Sequence, residues 1–217
     1  SQGIPVHIST QASVSNSLAV QQYASLGARR IVLARECTLE MINAVVRRIE
    51  ELKLSIAVEV FVHGALCISL SGRCFISEYL FNRSANRGDC LQPCRRKYHI
   101  RDVEEEKEMA VEDGYILSPK DLCALEFIDQ LIESGVQAFK IEGRTRPPEY
   151  IYAVTYAYRK AVDSYFKGVF DSSVRKRLLA EVAKVYNRGF SKGFYFGRPL
   201  NDLTDLSGSA ATEKKEY

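Results

Sequence analysis

Residues 54–64, LSIAVEVFVHG, are the stretch that decides the fold of this 217-residue chain. Branched and aromatic apolar side chains fill it, and no breaker appears before Gly64. A nearly continuous apolar run of this kind is typical of a strand that is buried on both faces. Such strands occur in parallel sheets covered by helices. The stretch therefore predicts an α/β fold.

The residues before this strand repeat one rhythm of strand and helix. Short apolar strands are predicted over residues 4–10 and 29–36, and helical patterns follow them over residues 15–26 and 39–52. Strands separated by helices of this length are typical of βαβ units in a parallel sheet. Residues 1–64 are therefore predicted to form three βα units.

The rhythm breaks after the third strand. Residues 65–118 are predicted to form a cysteine-rich insertion, with an antiparallel excursion around residues 96–102 and 114–118. The βα pattern then resumes over residues 119–200.

The resumed pattern begins with a predicted helix. Ser118 as N-cap and Pro119 at the first helical position mark its start, and Gly135 marks its end. A fourth strand over residues 136–143, helices over residues 147–168 and 172–186, and a disordered tail over residues 201–217 follow.

Four βα units are half of a (β/α)8 barrel, which usually needs about 250 residues. The sequence thus predicts a partial (β/α) barrel of parallel strands, or a small open α/β sheet, with the cysteine-rich insertion after the third strand. An open sheet leaves strand edges and apolar surface uncovered. A homo-oligomer is therefore expected.

The composition is that of an ordinary soluble protein, with 46% hydrophobic and 26% charged residues and a formal charge of +3. No apolar run reaches the roughly 18 residues that indicate a membrane span. The first residues also lack the features of a signal peptide. These observations predict a cytoplasmic location, no membrane partner and six reduced cysteines.

Polar residues stand where the predicted strands end, and the carboxyl ends of parallel strands carry the function in such sheets. Strand alternation would place Glu59, Phe61 and His63 on one face. A structural ion-pair network that closes the sheet is the alternative interpretation. The candidates for catalysis are Arg35, Glu36, Glu59, His63, Lys140 and Glu142, and those for cofactor binding are Gln11 and Arg144.

Five of the six cysteines fall within 57 residues: Cys67, Cys74, Cys90, Cys94 and Cys123. Their spacing matches neither the paired knuckles of zinc ribbons nor the runs of bacterial or plant-type ferredoxins. Four converging thiolates can still bind an iron–sulfur cluster, or zinc, because geometry matters more than spacing. Structural cysteines buried in the core are the alternative. Cys123, in the first turn of the predicted helix, would be favoured as a thiolate there.

Two further patterns bear on function. The segment NRSANRGDCLQPCRRKYHIR, residues 82–101, interleaves basic with aromatic residues and could follow an RNA backbone, although the acidic residues 102–113 could balance its charge instead. His63 precedes Cys67 by four residues, and Cys–His pairs can act as nucleophiles. No cysteine-protease signature or His-Glu-x-x-His helix accompanies that pair.

Several long motifs together resemble peptidase family U32, the collagenase-like peptidases. They occur in the family's order and cover nearly the whole chain to about Leu200: HISTQASVSN, LARE, EVFVHGALCISLSGRCFIS, NRGDCLQPCRRKY, LSPKDLC, FKIEGRTR and the final aromatic motif YNRGF with GFYFGRP. The resemblance implies one of two activities. One is collagenase-like proteolysis, and the other is oxygen-independent hydroxylation of RNA bases or of a quinone precursor.

The resemblance also implies a cofactor and partners. It implies a [4Fe–4S] cluster, or zinc in its place, at the mouth of a barrel-like domain, held by Cys67, Cys74, Cys90 and either Cys123, which is favoured, or Cys94. It implies prephenate as a co-substrate and RNA as the partner, and FKIEGRTR is more similar to the tRNA-acting branch. Collagen is the alternative substrate. Relatives carry a further barrel segment upstream of IPVHIST, so an incomplete barrel is expected.

Overall fold

The computed structural model describes residues 3–106, 108–109 and 114–198. The strands are β1 Val6–Ile8, β2 Ala28–Val32, β3 Ala57–Ala65, β4 Ile100–Arg101, β5 Glu108–Met109, β6 Asp121–Cys123, β7 Ala138–Ile141 and β8 Phe190–Ser191. The α-helices are α1 Ser17–Ser25, α2 Leu39–Glu51, α3 Ile76–Phe81, α4 Ile128–Glu133, α5 Pro148–Phe166 and α6 Ser172–Ala183. Short 3₁₀ turns lie at Thr10–Ala12, Ala85–Arg87 and Pro93–Arg95.

Four strands lie side by side and parallel in the order β1, β2, β3, β7. These are the four predicted parallel strands, and the α/β class is confirmed. Over the residues that the structure covers, the sheet stays open, so closure into a barrel is not observed.

Strand β3 changes partners along its length. Its first part pairs with β7, and its last three residues pair antiparallel with β6, with His63 opposite Cys123. The ladder between β3 and β7 shifts register between Phe61 and His63. β6 in turn pairs with β8, so two short strands extend the sheet at the carboxyl end of β3.

The predicted helix start at Ser118 and Pro119 is wrong. These residues precede β6, and the helix begins only at Ile128. The Asp121 N–H donates to the Gly189 carbonyl and the Ala124 N–H to the Val62 carbonyl. Pairing with distant strands thus outweighs the local capping signal, because it satisfies these backbone groups while burying the segment.

Helices α1, α2, α5 and α6 lie within the predicted helical ranges, whereas the short α3 in the insertion was not predicted. The Asn16 side chain accepts from the Ala19 N–H at the start of α1, and Thr38 accepts from the Met41 N–H at the start of α2. Asp171 caps α6 in the same way. α2 buries four apolar residues at helical spacing, Ile42, Val45, Val46 and Ile49, in the core beneath the sheet.

The insertion is compact but differs from its prediction in one respect. Its antiparallel pair joins β4 to β5, rather than to residues 114–118. The Tyr98 N–H does donate to the Gly114 carbonyl at 2.7 Å, so the later segment still lies against this region.

Among the described residues no helix is long and apolar enough to cross a membrane. The predicted tail, residues 201–217, lies outside the described residues.

Candidate functional site

Glu59 is the centre of a charged cluster at the sheet. Its carboxylate accepts from Arg30 Nη1 and from Lys140 Nζ, each at 3.3 Å. The Glu59 side chain is only 12% exposed, whereas the Arg30 and Lys140 side chains are 38% and 41% exposed. Two cations that reach solvent therefore flank one sheltered carboxylate, drawing β2, β3 and β7 together.

The ring of Phe61 packs against the cations of the same cluster. The Arg35 guanidinium carbon lies 3.8 Å from the centroid of the Phe61 ring, and Lys140 Nζ lies 5.7 Å from it. Arg35 Nη2 also donates to Glu142 Oε2 at 3.2 Å. Cation–π contacts of this kind hold the positive groups over the ring. The predicted residues Arg35, Glu59, Lys140 and Glu142 thus converge in one place.

Glu36 ties the end of β2 to the cysteine-rich insertion. Its carboxylate accepts from the Ser71 N–H at 2.7 Å and from Ser71 Oγ at 3.2 Å. The Arg35 N–H donates to Ser71 Oγ as well. Glu36 therefore positions the loop between Cys67 and Cys74.

The two predicted cofactor-binding residues also stand at this edge. Gln11 Nε2 donates to the Ala85 carbonyl of the insertion at 3.3 Å. Arg144 is exposed, and its N–H donates to Glu142 Oε1 at 3.0 Å. The insertion therefore folds back over the carboxyl ends of the parallel strands.

Four thiols share one neighbourhood beside this cluster: Cys67, Cys74, Cys90 and Cys94. Burial raises the pKa of Cys67 and of Cys94, and the nearby thiols raise it further. Arg95 opposes the rise at both thiols, and Arg35 opposes it at Cys67. All four are free cysteines, and the guanidinium groups of Arg35 and Arg95 lie near Cys67.

The chemistry of this donor set fits a thiolate-bound cluster. The buried Arg35 Nε has no hydrogen-bond partner among the described atoms, so it is a donor that an anion could use. Within the described part of the chain, no three His, Cys, Asp or Glu side chains are arranged to hold a metal ion, so the thiol group is a candidate site on the chemistry of its side chains alone.

Cys123 lies elsewhere. It is the last residue of β6, it is 4% exposed, and its sulfur is 3.9 Å from Tyr158 Oη. The prediction that it begins a helix is wrong, and the expected help from a helix N-terminus is absent there. Burial instead raises the pKa of Cys123 to about 11.

His63 is also buried, at 1% exposure. Tyr158 Oη donates its single proton to the Val62 carbonyl at 2.6 Å, so the contact of 3.3 Å with His63 Nδ1 makes the imidazole the donor. Burial, followed by the charge of Arg146, lowers the pKa of His63 to about 3.

The rings of Tyr150, Tyr158 and Phe190 surround His63, with centroid distances of 5.5–6.0 Å. Glu59 and Phe61 instead contact Arg35 and Lys140. The predicted common face of Glu59, Phe61 and His63 is therefore not observed. The register shift in β3 lies between Phe61 and His63, and it breaks the simple alternation on which that prediction rested.

The sequence patterns missed a second charged cluster. The buried Asp121 carboxylate accepts from Arg146 Nη2 at 3.3 Å and from Arg188 Nη2. Arg188 also donates to the Pro119 carbonyl. The charges of Arg188 and Asp121 both act on Arg95, and so do the thiols Cys94 and Cys67. This cluster therefore adjoins the thiols. An aspartate that opens the apolar run DLCAL was the one signal in the sequence.

Comparisons with known proteins match nearly the whole chain. The model of peptidase family U32 matches residues 1–205. A collagenase of Porphyromonas gingivalis is 40% identical over 99% of this chain and 53% of its own length. The tRNA hydroxylation protein P1 of Bacillus subtilis is 39% identical over 90% of this chain and 46% of its own length. The tRNA hydroxylation protein P of Helicobacter pylori is 35% identical over 99% of this chain and 51% of its own length. The chain spans about half the length of these relatives, and no solved structure matches it.

Proposed function

The chain belongs to peptidase family U32, and we propose that it takes part in iron–sulfur-dependent, oxygen-independent hydroxylation of RNA bases, with tRNA as the favoured substrate. The relatives named as tRNA hydroxylation proteins support the substrate class. The observation that carries the proposal is the group of four thiols beside Arg35, next to the charged cluster over Phe61.

We assign the ligands as Cys67, Cys74, Cys90 and Cys94. Cys94 is preferred to Cys123 as the fourth ligand because it lies in the insertion with the other three thiols, whereas Cys123 is buried in β6 with its sulfur against Tyr158 Oη. A thiolate-bound [4Fe–4S] cluster is anionic, and the guanidinium groups of Arg35 and Arg95 would offset its charge. When bound, the cluster supplies one-electron redox chemistry.

The charged cluster over Phe61 is the place for the co-substrate. Lys140 reaches solvent beside Glu59, so it can donate to a carboxylate such as those of prephenate. Arg144 stands at the same edge and offers a second cation, and Gln11 offers an amide. Glu142 and Glu36 orient Arg35 and the thiol loop. His63 is neutral inside the sheet layer, and we assign it a structural role.

The function is tested by nucleoside mass spectrometry of tRNA. We expect cells that lack the protein to lose a hydroxylated nucleoside and the wild-type gene to restore it. Cys90→Ser and Lys140→Ala should fail to restore it, whereas Lys176→Ala on α6 should restore it fully. Unchanged nucleosides in tRNA and ribosomal RNA from the deleted strain would refute the proposal.

Proteolysis is the second candidate, because one relative of 40% identity is named as a collagenase. The geometry lends it little support. His63 bonds to Tyr158, and among the described contacts none joins it to Cys67. We expect purified, iron-free protein to leave gelatin intact. Cleavage by iron-free protein that disappears in Glu59→Gln would favour the peptidase instead.

A further inference from the structure

We propose that the exposed aromatic residues of α3 form a docking surface for single-stranded RNA, and this inference rests on the proposed function. The α3 surface comprises Phe75 and Tyr79, with Arg73 and Arg87 close by in the sequence. It lies in the insertion that carries the thiols. Its assigned role is to stack unpaired bases and so to present one of them to the thiol side of the sheet.

Phe75 and Tyr79 are exposed to an unusual degree. Phe75 precedes the first residue of α3 and is 63% exposed, and Tyr79 is 88% exposed. The Tyr79 N–H donates to the Phe75 carbonyl at 2.8 Å, so the two residues are one helical turn apart and on the same side of the helix. Neither ring contributes much to the core, and paired exposed aromatic residues indicate an interaction site.

The charge around α3 matches a polyanion. Residues 70–98 contain six basic and two acidic residues, a surplus of four, whereas the whole chain has a formal charge of only +3. Both acids have partners within the segment, since Asp89 pairs with Arg83 and Glu78 accepts from Ser84 Oγ. This segment thus carries a net surplus of positive charge, as expected for a surface that contacts phosphates.

The chemistry favours RNA over other occupants. Aromatic rings beside guanidinium groups stack unpaired bases and bind phosphates at the same time. A membrane-surface helix would need a longer amphipathic face than the six residues of α3. A second copy of the chain would bring two surfaces of the same positive sign together, which is unfavourable.

The α3 surface is fixed to the thiol neighbourhood. Cys74 directly precedes Phe75, and its N–H donates to Asn86 Oδ1 at 3.0 Å. The Leu91 N–H, next to Cys90, donates to Ser77 Oγ of α3 at 3.1 Å. A strand stacked on Phe75 and Tyr79 would therefore run beside the thiols. Enzymes that act on bases need such an unstacked base, so recognition should favour loops over duplex.

The test is fluorescence anisotropy with a labelled oligouridine of about 12 nucleotides and with tRNA. We expect Phe75→Ala/Tyr79→Ala to weaken binding of both at least about tenfold. The matched control is Tyr152→Ala/Tyr156→Ala on α5, where two exposed tyrosines stack with centroids 6.0 Å apart. That variant should bind within twofold of wild type. Log affinity falls with log salt concentration, and Arg73→Ala/Arg87→Ala should make this slope less steep by about 0.7 for each lost phosphate contact.

A second variant separates stacking from apolar contact. Phe75→Leu/Tyr79→Leu keeps apolar surface and removes the rings, so it should bind as weakly as the alanine variant. Wild-type RNA affinity in either variant would overturn the docking proposal. It would also be overturned if the variants lost self-association while their RNA binding stayed unchanged. Cluster content and tRNA hydroxylation of the wild type are measured alongside. If both are present while the α3 variants bind normally, only the docking proposal fails; if the wild type lacks both, the proposed function fails first.

Discussion

At the residue scale, the burial of His63 should make the stability of the protein depend on pH. Its pKa is lowered from 6.5 to about 3, so the folded state holds the imidazole neutral. The contribution to stability is therefore complete above pH 6.5 and is lost as the pH falls towards 3. Between pH 7 and pH 4 we expect a loss of about 3 kcal/mol in the free energy of unfolding from this group.

Urea denaturation at both pH values measures this loss. His63→Phe should show a clearly smaller fall than wild type, because the unfolded imidazole no longer gains a proton. His7→Phe is the matched control, since His7 is exposed, and it should show the wild-type fall. An identical fall in His63→Phe and wild type would contradict the account.

Asp121 is the second residue whose removal should be costly. It stands between two buried guanidinium groups, so Asp121→Ala leaves both without their carboxylate. We expect a loss of about 3–5 kcal/mol in the free energy of unfolding, measured in urea. Asp163→Ala breaks the exposed pair with Arg159 and should cost less than about 1 kcal/mol. Equal costs for the two changes would argue against a buried network.

The sequence could foresee one charged cluster but not the other. Arg35 follows β2, while Glu59 and Lys140 lie within the neighbouring strands β3 and β7, and the parallel pairing brings the three together. Asp121 and Arg188 are 67 residues apart and meet only because β6 pairs with β8. Strand alternation does not predict the register shift that places His63 and Phe61 on different faces of the sheet.

At the element scale, the loop between Cys67 and Cys74 depends on Gly72. Its φ is +70°, and a Cβ there would lie 2.2 Å from the Gln11 carbonyl oxygen. Gly72→Ala should therefore push the thiol loop away from the sheet and reduce the iron bound after anaerobic reconstitution at least severalfold. The thermal midpoint of the protein should fall only slightly, because the loop lies outside the core.

Gly88→Ala separates backbone strain from the steric clash. Gly88 has a φ of +90°, but a Cβ there would meet no described atom within 4 Å. Both substitutions therefore carry a backbone cost of about 1 kcal/mol, and only Gly72→Ala carries the clash. Equal iron contents in the two variants would contradict the proposed role of the loop.

The segment around β6 shows why the elements could be predicted only in part. α2 and α6 follow local periodicity and capping, and α5 follows periodicity with a proline at its first position, so local signals sufficed for all three. Ser118 and Pro119 offer a helix start of the same quality, yet β3 and β8 draw the segment into the sheet. Tertiary pairing is not readable from the local sequence.

At the scale of the whole molecule, four parallel strands and one insertion bring the candidate site residues together. The strands supply Arg35, Glu59, Lys140 and Glu142, and the insertion folds back to place its thiols beside them. The clustering of five cysteines was evident from the sequence. The proposed preference for Cys94 over Cys123 was not, because it depends on where β6 lies.

The most direct test of this account is the iron and acid-labile sulfide content of anaerobically purified protein in matched cysteine variants. Wild type should be brown, with broad visible absorption and about four irons per chain. Cys94→Ser should lose the colour and the iron, as should Cys67→Ser, whereas Cys123→Ser and Cys37→Ser should keep both. Colourless, metal-free protein in every case, or loss in Cys123→Ser with retention in Cys94→Ser, would contradict the account.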